Sequence, residues 1–92
     1  MIQSFKCKDT EALFNGRNVP RFRNVERQAR RKLLMLNAAP EFASLKVPPG
    51  NHLEALVGNR KGQCSIRIND QWRLCFVWQT NGAALVEIVD YH

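Results

Sequence analysis

The sequence predicts an α+β domain, with an N-terminal strand and two helices packed on a small twisted antiparallel sheet of three to four further strands. Apolar residues at helical spacing dominate the first half of the chain, and period-two alternation dominates the second half. Short turn signals separate the alternating runs, as in a meander of hairpins. One face of such a sheet needs a helix to cover it.

The first half of the chain supplies the strand and the helices. Residues 1–7 alternate imperfectly, which predicts a short strand, and Asp9 or Thr10 suits the N-cap of a brief helix that Gly16 ends. Pro20 is expected to open the main helix. Its buried stripe is expected at Phe22, Val25, Ala29, Leu33 and Leu36, and its basic face at Arg23, Arg27, Arg30 and Arg31.

The second half of the chain supplies the sheet, after a proline-containing loop. If the helical stripe covers one face of the sheet, we hypothesise that Arg67 and Arg73 emerge together on the other face. A bulge would shift the strand register, so alternation alone does not establish that the two arginines share a face. Strands are expected at residues 53–57, 64–68, 72–78 and 84–90, with connections at 58–62, 69–71 and 81–82.

Length and composition indicate one folded domain over residues 1–92. The chain is 45% hydrophobic and 24% charged, which is typical of a globular protein and not of a disordered tail. No apolar run approaches the roughly 18 residues that a membrane span needs, and the N-terminus lacks the apolar stretch of a signal peptide. We therefore expect a cytoplasmic protein with no membrane partner.

The cysteines and histidines favour neither a disulfide framework nor a metal site. The three cysteines Cys7, Cys64 and Cys75 form no C-x-x-C pair, and the chain has only two histidines, His52 and His92. We expect buried, unreactive thiols, with no metal and no cofactor.

Positive charge is concentrated in the first half of the chain. Residues 1–46 contain ten Lys or Arg against four Asp or Glu, whereas residues 47–92 contain four of each. Such asymmetry is typical of a surface that binds polyanions such as nucleic acid, although a merely soluble basic protein has the same charge.

The last three residues of the sequence, Asp90, Tyr91 and His92, combine a carboxylate, a phenol and an imidazole after an apolar strand. These groups can orient, donate and accept protons near neutral pH. Arg67 and Arg73 could grip a phosphodiester with their planar guanidinium groups. RNA carries its own nucleophile, the 2′-hydroxyl, so this set could cleave RNA without a metal.

Several candidates have a simpler structural interpretation. Arg60 and Lys61 lie in a predicted turn, where solvated charge is the default, and Glu54 could be an acid at a strand edge. Trp72 and Trp78 share one face of a strand and favour a core role over base stacking.

Three segments resemble a known family: Pro48 to Leu56, Gly62 to Phe76 with its run Ser-Ile-Arg-Ile-Asn-Asp-Gln-Trp-Arg, and Val86 to His92 with its ending Asp-Tyr-His. Together they resemble the HigB branch of the RelE/ParE toxin superfamily over the whole chain. The resemblance implies a RelE-like fold and a type II toxin that cuts mRNA in the ribosomal A site by transesterification.

The resemblance also implies partners and site residues. The partners are a HigA-like helix-turn-helix antitoxin, the ribosome with its rRNA, and mRNA; operator DNA is contacted only through the antitoxin. Arg73, Asp90, Tyr91 and His92 match the family's catalytic positions. Contacts to RNA are expected from Arg67, Arg60, Lys61 and Glu54.

Two positions depart from the family pattern. Some relatives have a catalytic histidine where this chain has Glu54, and a lysine where it has Val57. A carboxylate with a pKa of about 4.3 is a weaker base than an imidazole, which predicts a milder nuclease. His52 has the opposite strand parity to Leu53 and is not expected to substitute.

Two other classes of function remain open at this point. One is a non-cleaving RelE/ParE-type toxin that blocks a ribosomal or gyrase target, although ParE-like chains lack the terminal Tyr-His. The other is a plain RNA-binding module, which would need only the basic helix.

Overall fold

The computed structural model describes residues 1–90, and from the first helix onward its helices and strands follow the predicted order. The four strands form one antiparallel sheet in the order β1-β2-β3-β4, which is the predicted meander. The α+β fold class is therefore confirmed. The helices are α1 (Lys8–Phe14) and α2 (Glu26–Ala38), and the strands are β1 (Glu54–Ala55), β2 (Cys64–Arg67), β3 (Trp72–Gln79) and β4 (Gly82–Asp90).

The core lies between α2 and one face of the sheet. The predicted helical stripe is confirmed: Phe22, Val25, Ala29, Leu33 and Leu36 are all buried. These helical residues pack against side chains of β2 and β3 that point to one face of the sheet, including Ile66, Leu74 and Phe76. Trp72 also packs against this core, edge-on to the ring of Phe22 at 5.6 Å between centroids, as the core interpretation predicted. Trp78 lies 5.9 Å from the ring of Phe42.

A β-bulge interrupts the pairing of β3 with β4. Cys75 pairs with Glu87 and Val77 pairs with Ala84, so two steps along β3 correspond to three along β4. The extra residue lies at Leu85, whose φ of 52° is unusual for a side chain branched beyond Cβ. The bulge reverses which face each later residue of β4 occupies.

The N-terminal segment does not form the regular strand predicted for residues 1–7. It runs parallel to β4 with a single bridge between Phe5 and Val86. Its backbone bonds are Gln3 N–H to Ala83 O at 2.7 Å, Lys6 N–H to Val86 O at 3.0 Å, and Val86 N–H to Ser4 O at 3.1 Å. Regular pairing fails because the segment must follow the bulged part of β4.

Both predicted helix starts were wrong. Pro20 opens a short 3-10 turn that ends at Phe22, and α2 begins only at Glu26, because the backbone at Val25 (ψ 2°) leaves helical geometry. Neither Asp9 nor Thr10 caps α1, whose N-cap is Cys7. The Thr10 hydroxyl instead lies fully buried under β4, where it accepts a hydrogen bond from Ile88 N–H at 3.0 Å.

The cysteines are free thiols, and only Cys75 is fully buried. The expectation of buried thiols was wrong for Cys7 and Cys64, which are partly exposed because they lie at the ends of their elements. Within residues 1–90, no helix is both long and apolar enough to cross a membrane.

Candidate active site

Arg73 is held by three partners on the sheet face opposite α2. Its Nε donates to the Ser65 hydroxyl at 2.8 Å, and its Nη2 donates to the His52 carbonyl at 2.7 Å. Nη2 also lies 3.2 Å from a carboxylate oxygen of Glu54. The Arg73 side chain is 13% exposed. A guanidinium fixed in this way does not have to be ordered before it binds an anion.

Strand register explains why these groups meet. Glu54 on β1 pairs with Ser65 on β2, and Arg67 on β2 pairs with Arg73 on β3. Residues two apart share a face, so the four side chains belong to one face of the sheet. His52 has a left-handed backbone (φ 45°), which turns its carbonyl toward this cluster. The structure therefore places Arg67 and Arg73 on one face, as the sequence hypothesis required, and adds Glu54 to them.

Arg67 lies directly across the sheet from Arg73. Like charges at directly opposed positions destabilise a sheet. Arg67 forms an ion pair with Asp70, whose side chain is 99% exposed. An ion pair this exposed contributes little to stability. An incoming anion could therefore replace Asp70 at small cost.

A second ionic group lies further along the same face. Arg60 donates to Glu87 at 2.8 Å and to the Gln63 side chain at 3.1 Å, and Lys6 lies 3.6 Å from Glu87. Glu87 pairs with Cys75, two residues along β3 from Arg73, so it belongs to the same face. Arg60 is thus tied into the fold and is not a merely solvated charge. Lys61 is exposed, and within residues 1–90 it makes no salt bridge.

Asp90 does not lie on the face that carries Arg73. The strand partner of Arg73 is Val89, whereas Asp90 pairs with Trp72, which faces the core side. The Asp90 carboxylate accepts a hydrogen bond from the Gln71 amide at 3.2 Å. The family resemblance groups Asp90 with Arg73 in one site, but the strand register places their side chains on opposite faces of the sheet. Tyr91 and His92, the other two candidates, lie outside the described residues.

Cys75 is an unsuitable nucleophile although it shares this face with Arg73. Burial raises the pKa of its thiol, with a smaller contribution from the nearby Glu87 carboxylate, so the thiol stays protonated at neutral pH. The chemistry of the face is therefore that of arginines and carboxylates.

The outer side of α2 is a basic groove on another part of the surface. The groove has a volume of about 680 Å³. It includes Leu34, an exposed apolar side chain. Arg30 departs from the expectation of a free basic face, because it bonds Glu26 and the carbonyls of Leu13 and Arg17. The groove is lined by Arg23, Glu26, Arg27, Arg30, Arg31 and Leu34.

Sequence reasoning missed three residues that build the site. Ser65 could have been found, because it is two residues before Arg67 and so shares its face. The His52 carbonyl and Glu87 depend on loop geometry and on the register of β4, and neither is marked by a motif.

Chemically, the described cluster can bind an anion and accept a proton. Arg73 and Arg67 offer N–H donors with the geometry that phosphate oxygens accept. Glu54 is about half exposed and can act as a base beside a bound substrate. These are the binding group and one of the two proton-transfer groups that phosphodiester transesterification needs.

Comparison with known proteins supports this interpretation of the fold. The chain is 48% identical to Toxin HigB-1 of Vibrio cholerae serotype O1 over 69 residues, which is 75% of this chain and 72% of that protein. Its fold resembles that of a YafQ mutant from E. coli, with a TM-score of 0.65 at 13% identity, covering 98% of this chain and 91% of that one. It also resembles the YoeB-YefM complex from Staphylococcus aureus, with a TM-score of 0.61 at 19% identity, covering 100% and 95%.

A family model matches nearly the whole chain. It describes the RelE-like toxin HigB of type II toxin-antitoxin systems and covers residues 3–92. The strand order, the arginine pair and the terminal Asp-Tyr-His occur within the matched residues. The chain therefore belongs to the HigB-like family of type II toxins, with a RelE-like fold.

Proposed function

We propose that this toxin is a ribosome-dependent mRNA endoribonuclease that cuts mRNA in the A site and so inhibits translation and growth. The observation that carries the proposal is Arg73, held by Ser65, His52 and Glu54 on the sheet face opposite α2 in a HigB-like toxin. A surface cation needs no such fixation, whereas a group that stabilises a transition state benefits from it.

The proposed reaction is a metal-free transesterification. The ribose 2′-oxygen attacks the adjacent phosphorus, the bond from phosphorus to the 5′-oxygen breaks, and the products are a 2′,3′-cyclic phosphate and a 5′-hydroxyl. Arg73 stabilises the additional negative charge on the phosphorane oxygens. Glu54 takes the proton of the 2′-hydroxyl, and His92, assisted by Tyr91, gives a proton to the departing 5′-oxygen.

The ion pair between Glu54 and Arg73 fits this division of roles. Before RNA binds, the carboxylate balances the charge of the nearly buried guanidinium. When a phosphate binds Arg73, it can take over that balance and leave Glu54 beside the ribose. Asp90 then has a positioning role, because its bond with Gln71 links the end of β4 to the turn before β3.

The same proposal covers the partners. A HigA-like helix-turn-helix antitoxin neutralises the toxin and provides the contact with operator DNA. The ribosome supplies rRNA phosphates for the cations Arg23, Arg27 and Arg31 of the basic groove. This places the toxin in the cytoplasm, with a role in plasmid maintenance or persistence.

Mapping of mRNA ends in cells that express the toxin tests the proposal. We expect growth arrest together with new mRNA 5′ ends that disappear when an inhibitor keeps the ribosomal A site closed. Growth arrest without new 5′ ends would instead favour a toxin that blocks a ribosomal or gyrase target. New ends that persist on naked mRNA would contradict the ribosome dependence.

Replacement of Glu54 by histidine is predicted to raise cleavage by about tenfold. An imidazole is intrinsically a better proton acceptor near neutral pH than a carboxylate. The measurement is the initial rate of cut formation at equal toxin levels. Glu54→Gln is the matched control, since it keeps a hydrogen-bond acceptor for Arg73 but cannot accept the proton. If the histidine and glutamine variants were equally impaired, Glu54 would act through Arg73 alone and not as a base.

A further inference from the structure

A short turn beside β2 connects two cations that are far apart in sequence. The turn consists of Pro49–Asn51 and the following His52. The Asn51 side-chain oxygen accepts a hydrogen bond from Lys32 Nζ at 2.5 Å, and the His52 carbonyl accepts one from Arg73 at 2.7 Å. Because Asn51 and His52 are adjacent, Lys32 of α2 and Arg73 of β3 contact the same turn.

The turn is fixed firmly enough to set this arrangement. Asn51 is fully buried, and its amide nitrogen donates to the carbonyls of Leu45 at 3.1 Å and Val47 at 3.4 Å. Its side-chain oxygen is thereby oriented toward α2. Lys32 is thus held at the sheet edge, away from the solvent-exposed groove on the outer side of α2.

Arg67 is the third cation at this place. It pairs directly with Arg73 across the strands, and β1 ends before it reaches Arg67, since its pairs with β2 involve only Cys64 and Ser65. Burial lowers the pKa of Lys32, and the charges of Arg31 and Arg67 lower it further, which places Arg67 within electrostatic range of the ammonium. Lys32 and Arg73 thus contact one turn at the β2 edge of the sheet, and Arg67 lies next to Arg73 on β2.

Positive charge exceeds negative charge at this edge. Among residues 1–90, Lys32 makes no salt bridge, and its ammonium donates a hydrogen bond to the neutral Asn51 amide. Within the described residues the ion-pair partner of Arg67 is the exposed Asp70, and Glu54 lies against Arg73. A partly desolvated ammonium without an acid is costly unless an anion binds it part of the time.

We propose that Lys32 and Arg67 form a second phosphate-binding subsite beside Arg73, which holds the RNA phosphate adjacent to the scissile one. This inference rests on the proposed function, in which Arg73 binds the scissile phosphate. Successive RNA phosphates each carry one charge, and the excess cations lie on the β2 side of Arg73. A phosphate in this subsite would replace Asp70 as the partner of Arg67 and would give Lys32 an anionic partner.

Equilibrium binding of two short RNAs to the whole protein tests the subsite. Both are fully 2′-O-methylated to prevent cleavage; the dinucleotide has one phosphate and the trinucleotide has two. Lys32→Met keeps the aliphatic stem and removes the charge, and it is expected to weaken trinucleotide binding about tenfold while leaving dinucleotide binding unchanged. The salt dependence of trinucleotide binding should also fall, by about 0.7 in the log–log slope.

Two further variants keep the test decisive. Lys8→Met is the matched control, because it removes the same charge from an exposed position on α1 and should leave both affinities unchanged. Arg67→Gln should reproduce the selective loss of trinucleotide affinity, and it replaces Lys32→Met if thermal unfolding shows that the latter is not folded. Equal weakening of both RNAs, or the same loss in Lys8→Met, would overturn the subsite.

Failure of the subsite and failure of the proposed function give different results. If programmed ribosomes show no mRNA cleavage but the trinucleotide still loses affinity selectively in Lys32→Met, the subsite stands without the nuclease. If cleavage occurs and the ratio of the two affinities does not respond to Lys32→Met or Arg67→Gln, the nuclease stands and the subsite is wrong.

Discussion

Replacement of Arg73 by glutamine is expected to reduce ribosome-dependent mRNA cleavage by about 10² to 10³-fold, the cost of removing one preorganised donor to a developing negative charge. Glutamine can still bond the Ser65 hydroxyl, but it has no positive charge for the phosphorane oxygens. Arg73→Lys should recover only a small part of the loss, because an ammonium lacks the fork that contacts Ser65, His52 and phosphate together. The rate of cut formation in a reconstituted translation reaction measures both effects.

Arg21→Gln is the matched control for this loss. The Arg21 side chain is about half exposed and pairs with Asp9, away from the sheet face that carries Arg73. We expect its cleavage rate to equal that of the wild type. If Arg73→Gln is folded and cleaves at the wild-type rate, Arg73 cannot be the group that stabilises the transition state.

Replacement of Phe76 by alanine is expected to lower the free energy of unfolding by about 3–5 kcal/mol, as for other large-to-small changes of buried aromatic residues. Phe76 is fully buried in the middle of β3, between α2 and the sheet. Domains of this size are stable by roughly 5–15 kcal/mol, so the variant should be close to unfolding at growth temperature. Urea denaturation followed by circular dichroism measures the change.

Leu34→Ala provides the comparison for the core prediction. Leu34 is on α2 but is 61% exposed, so its truncation should change the free energy of unfolding by no more than about 0.5 kcal/mol. Similar losses in Phe76→Ala and Leu34→Ala would show that the core is not where the structure places it.

The elements that sequence reasoning predicted well are those with strong local patterns. The buried stripe of α2 follows from helical periodicity, and the connections at 69–71 and 81–82 follow from turn residues. A short turn between β2 and β3 makes the pairing of Arg67 with Arg73 predictable, and the structure shows this pairing.

The position of Asp90 could not be predicted, because one residue changes it. If β4 paired with β3 from the hairpin at Asn81 and Gly82 without a bulge, Asp90 would share the sheet face of Arg73. The extra residue at Leu85 shifts the register, so that Val89 takes this place and Asp90 turns to the other face. A leucine at positive φ carries no sequence signal of its own, since glycine is the residue expected there.

The surroundings of Arg73 were also beyond sequence reasoning. Ser65 shares the strand parity of Arg67, so its contact with Arg73 follows from the pairing of the strands. The His52 carbonyl, in contrast, reaches Arg73 through the left-handed backbone of the turn. The contact of Lys32 with that same turn depends on the packing of α2 against a loop without periodicity. Such contacts are tertiary and leave no motif in the chain.

Cleavage of an mRNA that carries a single 2′-deoxynucleotide at the A-site cleavage position, on programmed ribosomes, tests the central claim most directly. With the 2′-hydroxyl present, we predict a 5′-hydroxyl and a 2′,3′-cyclic phosphate or its opened form, and strong losses in Tyr91→Phe and His92→Ala. With the 2′-deoxynucleotide, we predict no cut at that position. Equal cleavage of the two mRNAs, or cleavage unchanged in both variants, would contradict transesterification at this site.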